Sequence, residues 1–427
     1  MLKKLLCILL AGVMTLSLAS CGKEIEDNPV NTPDNPVQSD TPVTGDSSDN
    51  GDTPDTPPVE VPEEEWKYDF PNDFIEINGL SYIWAQLDEE TRIALGEVMN
   101  AIANVDIYCS LSQGIPLEDK QHFLELITHC TTGYTYDVSK YTIHKNDETG
   151  RIVGITLSYN LDYNSLDYIE DAHNRTKQVR ARVDEIVSGM PNGSDYEKVK
   201  YLYETLIFSC TYSENSISPF TAYGALVDGH ATCQGYADAM HLLLAAAGFE
   251  TCFCLGIGDA ESVTHKWNYV KLSDGEWYIV DATWGDPEGK DEDYIKYDYL
   301  LISDEELLKT HKEKFEAHYY EVPDANGTEF NYFAMEGYLA ETYEQAKEIL
   351  TQQAIECGKS GRRYIQVQFT NLDAFNEAKD KFFSGDYEMQ DVIKAANKES
   401  GSDFMTNSWT KLVREENLTM ILTLKYE

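Results

Sequence analysis

An α+β fold is predicted by one stretch of the chain, Gly229 to Pro287. A helical pattern there leads into three strand patterns joined by short turns. After Cys233, the apolar residues Ala237, Met240, Leu244 and Ala247 recur at helical spacing, and Gly248 is placed to end the helix. Strand patterns follow at Glu250–Ile257, Thr264–Leu272 and Glu276–Asp281, the last two separated by the turn signal Ser273-Asp274-Gly275.

Cys233 then lies in the first turn of a helix, where free backbone N–H groups and the positive end of the dipole favour a thiolate. The same N–H groups could hold an oxyanion. On the first strand of the hairpin, His265, Trp267, Tyr269 and Lys271 share a face, because side chains alternate. A three-residue loop, Ser273 to Gly275, pairs Leu272 with Glu276. It sets Asp281 across from Trp267, on the face of His265 and one diagonal step from it. A two-residue loop would turn Asp281 to the opposite face. A single cysteine in a helix or a single histidine in a strand is ordinarily a packing residue. The order nucleophile, base, orienter on helix start, strand and paired strand is what singles these three out.

The segments CQGYA, HKWNYV and WYIVDATWGDP resemble the core of the transglutaminase-like superfamily, which shares a Cys-His-Asp triad with papain-like cysteine enzymes. The similarity is close over this stretch. It extends more loosely from about Ser194 to His311, through YGALVDG upstream and YDYLLISDEELLKTH downstream. The resemblance implies a transglutaminase-like/papain-like core, with Cys233 as nucleophile, His265 as base and Asp281 as orienter. Thr232 departs from the aliphatic residue that relatives often carry before the cysteine. Trp267 and Trp284 flank His265 and Asp281 in sequence and are candidates for the walls of the cleft, with core packing the equal alternative. Gln234 and Tyr223 are candidate oxyanion or cleft residues. The expected chemistry is attack of the thiolate on an amide, resolved by water in a protease or amidase, or by an amine in a transglutaminase. The expectation leans to hydrolysis. A non-catalytic module binding peptide, glycan or cell-wall polymer is the rival from another class.

The 427 residues exceed one ordinary core, so several domains are expected. A net charge of −42 argues against nucleic acid, since phosphate binding needs clustered Lys and Arg. Lys3 and Lys4 precede the apolar run Leu5–Leu16, a targeting pattern. Leu18-Ala19-Ser20-Cys21 then resembles a bacterial lipobox, which implies a signal peptide at 1–20, lipidation at Cys21 and a lipid anchor at the bacterial cell surface or periplasmic face of the membrane. The apolar run is short for a transmembrane helix. From 21 to 65 runs an acidic Pro-rich linker holding eight of the chain's 14 prolines. That composition buries too little to fold.

An α+β region is expected at 66–164. Asp88 caps a helix with Leu95, Met99 and Ile102 on one face; a second helical stretch runs from Pro116 to Cys130; and a hairpin joins Tyr141–His144 to Val153–Tyr159. The catalytic domain is placed at 165–318. It opens with an amphipathic helix Leu166–Ser188 and a capping box at Ser194–Glu197. A small α+β accessory domain is placed at 319–427, with strands at Arg363–Thr370 and Leu418–Tyr426 and helices at Leu372–Phe383 and Met389–Lys398. Cysteines beyond Cys21 number seven, consistent with one free reactive thiol, and the other six need not pair. Cys252 and Cys254 share a strand face and suit core packing. No cofactor and no metal site is expected: His122, His129 and His144 lack ligand spacing, and the acidic run Asp286–Asp293 does not fit an EF-hand. The expected partner is a peptide or protein substrate, with cell-wall association as one option.

Overall fold

A computed structural model of the chain describes Ile75 and residues 78–131, 138–159, 167–258, 264–287, 294–384 and 387–426, together with a two-residue strand at Asn28–Pro29. The targeting segment, Cys21, most of the linker and the acidic residues 288–293 lie outside the described residues. Among the described residues, no helix is long and apolar enough to cross a membrane.

The fold is α+β, with an antiparallel sheet at its centre. Five strands form an antiparallel sheet in the order Leu300–Ile302, Trp277–Val280, Thr264–Lys271, Glu250–Ile257 and Glu313–Lys314. The hairpin register is the one predicted. Lys271 pairs with Trp277, Asn268 pairs with Val280, and the Leu272 amide donates to the Glu276 carbonyl at 3.1 Å, which leaves Ser273–Gly275 as the three-residue loop. Gly275 takes φ +88°, a conformation that favours glycine.

The helix Cys233–Ala246 packs on one face of this sheet. Lys266 and Asn268 of the His265 strand reach it directly: Asn268 Nδ2 donates to the Ala237 carbonyl at 2.9 Å, and Lys266 Nζ lies 2.6 Å from Asp238 Oδ1. Helices Tyr168–Ser188 and Asp195–Ser209 pack beside it, the second opened by the capping box in which Ser194 and Glu197 satisfy each other's backbone. Their apolar residues (Val179, Val183, Val199, Leu202, Leu206) join Met240, Leu243, Val270, Tyr278 and Val280 in one core.

The opposite sheet face belongs to a second core. Cys252, Cys254, Trp267, Tyr269 and Ile279 are continuous there with Leu95, Met99, Ile102, Phe123, Ile127, Ile155 and Leu157. Glu89–Ala103 is capped by Asp88, which accepts from the Thr91 amide at 2.7 Å, and the hairpin is Val138–Asn146 with Arg151–Tyr159. The helix expected from Pro116 begins with a single 3-10 turn, Leu117–Asp119, and continues as Lys120–Cys130. A strand at Tyr108–Pro116, absent from the sequence expectation, pairs with the second hairpin strand.

A third core lies towards the C-terminus. The helices Leu372–Phe383 and Met389–Ser400 and the strands Tyr364–Phe369 and Thr419–Tyr426 fall where the sequence pattern places them. A long helix, Tyr343–Ser360, and an edge strand, Phe404–Arg414, complete this layer.

Candidate active site

Cys233 is the first residue of its helix, and Thr232 is its cap residue. The Thr232 hydroxyl does not cap the helix; it donates to the Pro219 carbonyl at 3.3 Å, and its amide donates to the same oxygen at 2.9 Å. No side chain therefore covers the positive end of this dipole from the cap position. Gly235 explains why a small residue follows the cysteine: a Cβ there would meet the Pro219 and Thr221 carbonyls and the Ala231 methyl at 2.7–2.8 Å.

His265 stands at the start of its strand, where Nε2 lies 2.7 Å from Asp281 Oδ2. The Cys233 sulfur is close enough to the same imidazole to favour its protonated form. All three residues are buried. Asp281 follows the last paired residue of its strand. Its amide donates to the Tyr299 carbonyl at 3.0 Å, and its Oδ1 accepts from the Trp284 amide at 3.1 Å, capping the short turn Ala282–Gly285. The carboxylate is thus fixed by backbone on one oxygen and offers the other to the imidazole.

Burial alone would depress the His265 pKa. The Asp281 carboxylate, its hydrogen bond and the Cys233 sulfur outweigh burial and lift the pKa to about 10. Burial would raise the Asp281 carboxyl, but His265 and His311 together hold it below the ordinary carboxylate range.

His311 is the residue that sequence reasoning missed. Its side chain is fully buried and its Nε2 lies 3.3 Å from Asp281 Oδ2, off the line of a ring N–H hydrogen bond. Its ring centroid lies 4.3 Å from Trp284, 5.2 Å from Trp267 and 5.4 Å from His265. The only signal available was its place at the end of YDYLLISDEELLKTH.

Trp267 stacks on the His265 ring at 5.8 Å, and Trp284 lies 5.9 Å from it. Trp267 is 1% exposed, so it backs the imidazole from inside the core, whereas Trp284 is half-buried. Gln234 is half-buried in the first turn of the Cys233 helix. The Tyr223 ring sits under the Arg175 guanidinium at 5.7 Å, with Asp228 and Asp171 nearby. The ligand atoms of His265, Asp281 and His311 lie within 4.8 Å of one another, close enough to hold a metal ion. With His265 Nε2 already on the carboxylate, the cluster reads equally as a hydrogen-bonded relay.

Residues 180–282 match the family model described as the transglutaminase-like superfamily, a span that contains Cys233, His265 and Asp281. This chain carries a transglutaminase-like domain. No curated protein matches it. Among solved structures it is similar to a candidate cysteine protease from Cytophaga hutchinsonii, at 15% identity and TM-score 0.23, covering 33% of this chain and 42% of that one. It is similar to a TGase structure at 16% identity and TM-score 0.25, covering 50% and 61%. It is also similar to the periplasmic domain of TgpA from Pseudomonas aeruginosa, at 22% identity and TM-score 0.21, covering 25% and 44%. The chain spans about 42–61% of the length of those structures.

Proposed function

We propose that the protein is a lipid-anchored cysteine acyl-transfer enzyme of the bacterial cell surface or periplasmic face, acting hydrolytically on peptide or protein amide bonds. The observation that carries this reading is His265 held between the Cys233 thiol and the Asp281 carboxylate, with Nε2 2.7 Å from Oδ2. An imidazole kept protonated through neutral pH favours a thiolate beside it. In the proposed step, Sγ of Cys233 bonds to the amide carbon. The oxyanion is met by backbone N–H groups at the start of the helix. The C–N bond then breaks as His265 gives its proton to the leaving amine. Water attacks the thioester, its proton passes to His265, and the carboxylic acid leaves with the thiolate restored. Asp281 holds the ring and balances its charge throughout.

A glutamine-containing protein incubated with a labelled primary amine tests the direction of transfer. Chain cleavage or release of ammonia without label is the expected result. Incorporation of the amine faster than hydrolysis would reassign the protein as a cross-linking transglutaminase. Cys233→Ala should abolish either activity. A parent enzyme with no activity and a Cys233 as sluggish as a free thiol would point to a binding module. The anchor is tested separately: Cys21→Ala should move the protein from the membrane fraction to the soluble one.

A further inference from the structure

We infer that His311 is a positioning residue for the proposed acyl-transfer site, a second imidazole that holds the Asp281 carboxylate for His265. The inference rests on the reading of Cys233, His265 and Asp281 given above.

Asp281 has two oxygens with different duties. Oδ1 is tied to the Trp284 amide, and Oδ2 receives His265 at 2.7 Å. The chain returns past the same oxygen thirty residues on, bringing His311 Nε2 to 3.3 Å. That nitrogen is buried and has no hydrogen-bond partner among the described residues. A buried polar atom without a partner costs free energy, so it needs an account. The Thr310 hydroxyl lies 3.0 Å from the other ring nitrogen, Nδ1, and 3.2 Å from the Leu307 carbonyl. A bare Nε2 lone pair would face the Asp281 carboxylate and be repelled by it, so we place the ring proton on Nε2, with the Thr310 hydroxyl turned from Leu307 to donate to Nδ1. A small turn of the ring then completes a hydrogen bond to Oδ2.

Packing limits every other motion of this imidazole. Trp284, Trp267 and Tyr299 surround it at centroid distances of 4.3, 5.2 and 6.1 Å, and its amide donates to Leu307. Burial keeps it neutral against the pull of Asp281. A neutral donor on Oδ2 confines the carboxylate while leaving the imidazolium charge to His265. Without it, Oδ2 is met by His265 alone, and the ring it orients gains freedom. Loss of orientation of this kind costs rate steeply, about tenfold to a hundredfold per ångström-scale shift.

The test uses the full chain, iodoacetamide near pH 6.5, and peptide mass spectrometry to follow Cys233 specifically. Parent, His265→Ala, His311→Leu and His311→Gln are compared. The amide nitrogen of Gln can stand where Nε2 stands, so it keeps the donor. His311→Leu should slow Cys233 alkylation about tenfold, and His311→Gln should recover most of the rate. The downfield proton resonance of the His265–Asp281 hydrogen bond should be kept in His311→Gln and shifted or broadened in His311→Leu. If parent alkylation does not depend on His265, the reading of the site falls and this inference with it. If it does depend on His265 but His311→Leu reacts like the parent, this inference alone is overturned. It is equally overturned if His311→Gln is as slow as His311→Leu, since His311 is then only a packing residue. Should His311→Leu fail to fold, His311→Gln still decides: loss of either its rate or its resonance overturns the assignment.

Discussion

At the scale of single residues, the protein holds its buried histidines in opposite states. His265 is stabilised as imidazolium, so its contribution to stability is present below the ordinary histidine value and is lost as pH rises through about 10. His129 and His241 are pushed the other way. Burial, aided by Lys266, lowers both to about 3, with backbone bonds at Asn78 and Gly79 partly opposing this for His241. The unfolded chain binds protons at these sites first, so stability should fall as pH drops from about 6.5 towards 3. Urea midpoints across that range should show this loss, and His129→Leu with His241→Leu should flatten it. An unchanged slope in the double variant would place the acid sensitivity elsewhere. The sequence singled out His265 by its strand and its pairing with Asp281, but gave no sign that burial would hold His129 and His241 neutral. Their states are set by what the fold packs around them: a carboxylate and a thiol for one, the Phe253 ring and the buried Lys266 for the others.

At the scale of elements, the joint between the Cys233 helix and the His265 strand is an ion pair sealed from water. Lys266 and Asp238 are both about 3% exposed, and the ammonium also lies 4.0 Å over the Phe253 ring. Burial raises the Asp238 carboxyl and Lys266 pulls it back. Removing one partner strands a buried charge, so Lys266→Met should lower stability by about 3–5 kcal/mol, while Lys266→Met with Asp238→Leu should recover most of it. Chemical denaturation of the two variants checks this, and equal losses would mean that the pair is not the origin. Gly235→Ala should be costly, on the order of 1–3 kcal/mol, because backbone carbonyls crowd the added methyl. The helix, the hairpin and its register were legible because each depends on local periodicity and a three-residue turn. The ion pair was not, because a lysine in an alternating strand reads as a solvent-facing residue until a helix is laid over it. His311 was hidden for a related reason: it reaches Asp281 only after the chain pairs Leu300 with Val280 and folds back through the turn Asp304–Leu307. The strand Phe404–Arg414 escaped notice because its polar residues give no clean alternation.

At the scale of the molecule, the third core is coupled to the site through a buried cluster around Arg414. Arg414, at the end of its strand, hydrogen-bonds the Tyr299 hydroxyl and lies 3.5 Å from Asp298, which also accepts from Thr419 at 2.5 Å. The Tyr299 carbonyl is the one that receives the Asp281 amide. Arg414→Ala should therefore cost about 3–5 kcal/mol and also slow alkylation of Cys233. A stability loss with unchanged alkylation would confine the contact to holding layers together. The seven described cysteines carry a further consequence. None of them forms a disulfide and all are buried; burial raises the thiols of Cys109, Cys130, Cys210, Cys252, Cys254 and Cys357, with Cys109, Cys130, Cys210 and Cys254 at about 12. Those six are shared among the cores: Cys109, Cys130, Cys252 and Cys254 in one, Cys210 in the next, Cys357 in the third. Each layer thus carries its own silent clock. Under mild denaturant a thiol reagent starts one only when that layer opens, so the order in which these cysteines become labelled is the order in which the protein comes apart.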